Sequence, residues 1–111
     1  MKTNKDYSHK HFEELSHAAW NIVLTAQNDY DVYKNLGWLH DCIVKRVRAN
    51  KSINFRQLVD CSTLKSVVGV AAYKMRVNGF DDAVTSQDRF DARVYLAYAV
   101  IDGAVYDAIK D

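Results

Sequence analysis

The chain contains no proline, only four glycines and only two cysteines in 111 residues. Without those turn formers it lacks the chemistry of an all-β domain built on many tight hairpins. Two cysteines make at most one bridge, which excludes a disulfide-stapled scaffold. Cys42 and Cys61 are expected to be reduced and partly buried. Long hydrophobic runs are missing too. The longest, Val67–Tyr73 and Tyr95–Ile101, cover seven residues each, whereas a membrane-spanning helix needs roughly 20. The polar stretch from Met1 to His11 has no apolar heart of the kind a secretory signal carries. A cytoplasmic protein without a membrane role is the expectation.

What is present is an ordinary globular composition. Apolar residues make up 49% and charged residues 26%, too much apolar content for a disordered chain. The length suits one domain, residues 1–111, with a core of its own. Apolar residues recur at spacings of three and four, the helical period. The fold class is therefore all-α: a compact bundle of four principal helices plus one short helix.

The first helix is expected over about Ser8 to Gln27, with Ser8 as cap and Phe12, Leu15, Ala19, Ile22, Val23 and Ala26 inward. The second covers about Tyr30 to Ala49, buries Val32, Leu36, Leu39, Ile43 and Val47, and places His40 in the widened apolar stripe as a hydrogen-bonded core histidine. Asn54 caps a short helix through about Cys61. Ser62 or Thr63 caps the third long helix, about Leu64 to Val77, which Asn78-Gly79 ends. Thr85-Ser86-Gln87-Asp88 reads as a capping sequence for the last helix. That helix is apolar around much of its girth, which puts it at the centre. Gly69, Ala72, Ala92, Ala99 and Gly103 would permit close helix approach.

The net charge of +1 conceals an uneven distribution. Residues 1–41 hold four basic and six acidic residues, net −2; residues 42–79 hold eight and one, net +7; residues 80–111 hold three and seven, net −4. Helices of opposite sign pairing at their rims would explain this, and so would two distinct contact surfaces.

Two candidate surfaces follow. Helical geometry places Trp38 away from Leu39, Ile43 and Val47 and among Lys34, Asp41, Lys45 and Arg48. Such a tryptophan is either covered by another part of the fold or offered to a partner. On the last helix Asp88, Asp91, Tyr95, Tyr98, Asp102 and Tyr106 form an acid–tyrosine stripe. It is either a solvated face with its rings over the core, or a surface selecting a basic partner.

Chemistry has less support. His9, Glu13 and His17 have helical ligand spacing, but no zinc-protease motif accompanies them, and no metal site is expected. The four glycines stand apart at 37, 69, 79 and 103, so no phosphate-cradling loop exists. No nucleophile elbow or zinc-spaced cysteine pair occurs. No catalytic residue, no cofactor and no enzymatic activity are therefore expected. A helix-turn-helix can be drawn across Phe55–Cys61 and Leu64–Val77. Each register of its turn puts a bulky or charged residue where a small one is needed. The leading expectation is a non-enzymatic protein-binding module: an inhibitor, adaptor or small regulator, of the kind phages and mobile elements carry. Its contact residues would be Trp38, Lys34, Lys45, Arg48, Asp88, Asp91, Tyr95, Tyr98 and Asp102. Self-association is compatible with the same surfaces. The alternative is a DNA- or RNA-binding module built on the basic 42–79 segment, with Lys34, Trp38, Lys45, Arg46, Arg48 and Lys51.

Overall fold

The computed structural model describes residues 3–110. After a single 3-10 turn at Phe12–Glu14 come α1 (His17–Asn28), α2 (Tyr30–Arg48), α3 (Phe55–Val59), α4 (Ser62–Val77) and α5 (Ser86–Ile109). No strand occurs among the described residues. The four long helices all touch one another, and α3 packs on α4 and α5. α5 thus meets every other helix, as its broad apolar girth requires. Their shared interior holds Phe90, Ile22, Leu64, Leu96 and Val23, all essentially sealed from water, with no polar side chain buried among the described residues.

Helix starts follow side chains that accept the otherwise unpaired first N–H groups. Asp29 accepts from Asp31 N and Asn54 from Gln57 N. At Thr85 the box is reciprocal: its hydroxyl accepts from Asp88 N, and the Asp88 carboxylate accepts from Thr85 N. α4 differs from expectation. It begins at Ser62, and Cys61 Sγ accepts from Leu64 N at 3.4 Å, so neither Ser62 nor Thr63 is the cap.

α2 and α4 close through the left-handed conformation. Gly79 has φ +98°; its N–H bonds Arg76 O, and Phe80 N bonds Met75 O. Asn50, with φ +58°, does the same for α2 through Val47 O and Lys51 N to Arg46 O. These are Schellman closures, and glycine and asparagine tolerate the required φ.

The start of the first helix is the main departure. The helix begins at His17, capped by Ser16, whose hydroxyl accepts from Ala19 N. Ser8 is no cap; its hydroxyl and N–H bond the Asp6 carboxylate. The segment before Ser16 lies instead across α5, where Tyr7 packs on Phe90 and Phe12 on Tyr95. Phe12 is consequently half-buried rather than a sealed core residue. Gly69 is no close-contact point either, since a Cβ there would meet nothing within 4 Å.

Candidate functional site

The outward face of α2 is the most aromatic exposed surface on one element. Tyr30, Tyr33 and Trp38 are 77%, 53% and 59% exposed. The 3.6-residue turn puts Lys34, Asp41, Lys45 and Arg48 on one face with Tyr30 and Trp38, while Tyr33 lies about 140° round the helix from Trp38, on the side toward α5. Leu36, Leu39 and Ile43 occupy the opposite face and sink into the core. Trp38 is therefore uncovered, the less common fate for a residue of its size.

Beside this face lies a groove of about 400 Å³ between α2 and α5. Leu36, Leu96 and Val100 supply apolar walls, while Gly37 and Ala99 keep it open because their side chains are too small to fill it. Tyr33 stands at its rim. Farther along α2 is a charged cluster. His40 Nε2 lies 2.6 Å from Asp107 Oδ2 and Nδ1 lies 3.2 Å from Asp41 Oδ1. The hydrogen bond to Asp41, with that to Asp107, raises the imidazole above its ordinary value, against a smaller opposing effect of burial. A ring facing carboxylates through both nitrogens is held as a double donor. Gly103 lies beside the ring, and a Cβ there would meet it in ordinary contact at 3.9 Å. Arg48 donates to the Asp107 backbone carbonyl at 3.4 Å. His40 is thus half-buried at a groove rather than sealed in the core.

The acid–tyrosine stripe of α5 is occupied by the chain itself. The His9 ring packs edge-on to Tyr98 at 4.8 Å, and Phe12 on Tyr95 at 5.7 Å. Phe55 from α3 packs tilted against Tyr98, ring centroids 4.3 Å apart. Tyr7 meets Phe90 edge-on and donates to Asp60 at 2.9 Å. Lys10 pairs with Asp91 at 3.3 Å. Burial would raise Asp88, but hydrogen bonds from the Ser16 hydroxyl and from Thr85 outweigh it and hold the carboxyl low. Asp88, Asp91, Tyr95 and Tyr98 therefore bind the N-terminal segment, and Asp102 and Tyr106 of the stripe stand exposed. The sequence showed the face but not its occupant.

The basic segment is partly neutralised internally. Lys74 of α4 bonds Asp29 at 2.9 Å and approaches Asp31 at 3.6 Å, which raises Lys74 and lowers Asp29. Arg46 donates to Ser52 O. Lys45, Lys51, Lys65 and Arg76 are exposed. Lys45 sits on α2, Lys51 in the connection after it, and Lys65 and Arg76 on α4, where they are about 16 Å apart along the axis. Cys42 and Cys61 are free thiols. Among the described residues no three His, Cys, Asp or Glu side chains gather as metal ligands. No helix among them is long and apolar enough to cross a membrane.

Sequence reasoning named Trp38 and its neighbours but not the groove. Gly37, Ala99 and Asp107 gain meaning only once α2 and α5 pair; the available signal was His40, a titratable residue in an apolar stripe.

These features define a small all-α domain with an aromatic, mixed-charge face next to an interhelical groove. Comparison with protein-family models, curated proteins and solved structures yields no match.

Proposed function

We propose that the protein is a non-enzymatic binding module that acts on another protein through the outer face of α2. The observation that carries this is Trp38, 59% exposed, with Tyr33 53% exposed on the same helix. Tryptophan and tyrosine dominate binding energy at protein interfaces, and a charged surround of both signs supplies orientation. Lys34, Lys45, Arg48 and Asp41 form that surround. An inhibitor, adaptor or small regulator, of the kind phages and mobile elements carry, would work in this way. We read its setting as cytoplasmic, where thiols such as Cys42 and Cys61 stay reduced.

The test is photo-crosslinking in the native cell, with the reactive group at position 34 or 41. A discrete protein adduct is expected, lost on Trp38→Ala. Absence of any protein adduct from both positions would overturn the reading. The alternative, a nucleic-acid module, draws on the same tryptophan, since Trp38 lies exposed between Lys34 and Lys45 and aromatic stacking beside lysine suits an unpaired base. It requires salt-sensitive binding of a generic single-stranded oligonucleotide that Lys45→Ala and Trp38→Ala both weaken.

A further inference from the structure

The groove between α2 and α5 carries the protein-binding reading one step further, to the chemistry of the partner. Its walls are helices whose backbone N–H groups are already engaged, so an extended peptide could gain no strand-like pairing there. What fits is a ridge of side chains, the way one helix seats on two others. Val100 and Asp107 are seven residues apart, about 10 Å or two turns along α5. One end of the groove is apolar, with Leu36 and Val100; the other holds Asp41 and Asp107 around a single histidine. The imidazolium and the Arg48 guanidinium together balance the two carboxylates, and neutral imidazole leaves that end with an excess of negative charge.

We infer that this groove seats one helix of a partner protein, with an aliphatic side chain over Leu36 and Val100 and, two turns away, an arginine or lysine that meets Asp107 and Asp41. The inference rests on the protein-binding reading above. The partner's cation and the His40 ring compete for the same carboxylates. The charged groups facing His40 are Asp41 from α2, Asp107 from α5 and Arg48 through the Asp107 backbone; α1 contributes to the groove only the neutral Gln27. Since those hydrogen bonds favour the charged ring, acid conditions keep His40 in place, and rising pH frees the carboxylates for the partner.

The experiment titrates isotope-labelled protein with three alanine-based helical peptides, followed by amide chemical shifts. Each peptide carries leucine and, seven residues away in either order, arginine, norleucine or glutamate. The expected result is shifts centred on Gly37, Ala99 and Gly103, with the arginine peptide bound about threefold to fivefold tighter than the norleucine one and glutamate weakest, in line with partly exposed ion pairs. The arginine peptide should bind more tightly at pH 9 than at pH 5.5. His40→Gln should remove that pH dependence, and Asp107→Asn the preference for arginine. Ala99→Leu, at an exposed position, should fill the groove and weaken all three. Shifts centred on Lys34 and Trp38 instead, equal binding of the three peptides, tighter binding in acid, or no shift at millimolar peptide would each overturn the groove assignment. None of these outcomes touches the protein-binding reading, which is decided by the crosslinking of the Trp38 variant.

Discussion

At the scale of single residues, exposure separates what holds the fold from what is free to bind. Phe90 is 1% exposed, and the Tyr7 ring packs edge-on against it. Phe90→Ala should destabilise by about 3–5 kcal/mol, because both its transfer free energy and a cavity are involved. Trp38→Ala, at an exposed position, should stay within about 0.5 kcal/mol of the parent while it weakens partner binding. Urea denaturation of the two variants checks the contrast. His40 gives a third expectation. Its pKa is raised in the fold by Asp41 and Asp107. The stability it contributes is therefore fully present below the ordinary imidazole value near 6.5, and is lost as pH rises through the higher folded value. Melting temperatures should fall across that window in the parent and not in His40→Gln.

At the scale of elements, the N-terminal arm and the helix caps are the informative parts. The arm supplies Tyr7, His9, Lys10 and Phe12 to the α5 stripe, so the tyrosines there act as packing. Removing residues 1–14 should cost about 2 kcal/mol or more by uncovering half-buried rings. A loss below about 0.5 kcal/mol in urea denaturation would show that the arm adds nothing to the fold. Tyr98→Ala should likewise lower melting temperature, because Phe55 and His9 both rest on its ring. Thr85→Ala breaks a reciprocal box at the head of the longest helix and should cost about 0.5–2 kcal/mol.

At the scale of the whole molecule, the radius of gyration is 14.0 Å, close to the roughly 13 Å of a compact chain this long. One continuous core joins residues from every helix, Ala19 of α1 through Ala104 of α5. Unfolding should therefore be a single cooperative transition, with circular dichroism and tryptophan fluorescence giving the same midpoint. Trp20 and Trp38 make that comparison sensitive, since one packs against Phe12 and the other stands in solvent. Two separated transitions would mean that the arm or α3 melts independently of the bundle.

Local pattern alone specifies most of the helices. Their apolar period, their polar caps at Asn54 and Thr85, and the stop at Asn78-Gly79 are local physics, written within four or five residues of where they act. The core faces follow from the same period: Ile22, Leu36, Ile43, Leu64, Val68, Phe90 and Ala97 are buried, while Val47 and Ile101, expected with them, are half-buried. The beginning of α1 lay beyond it, because the residues before Ser16 have helical spacing yet gain more from lying across α5 than from extending the helix. For the same reason the acid–tyrosine stripe was legible as a surface but not as an occupied one. Trp38 was legible as an anomaly; its exposure depended on no other segment reaching it. The groove belonged to the tertiary structure alone: Gly37 and Ala99 are 62 residues apart in sequence, and only the packing of α2 on α5 sets them side by side with His40 and Asp107.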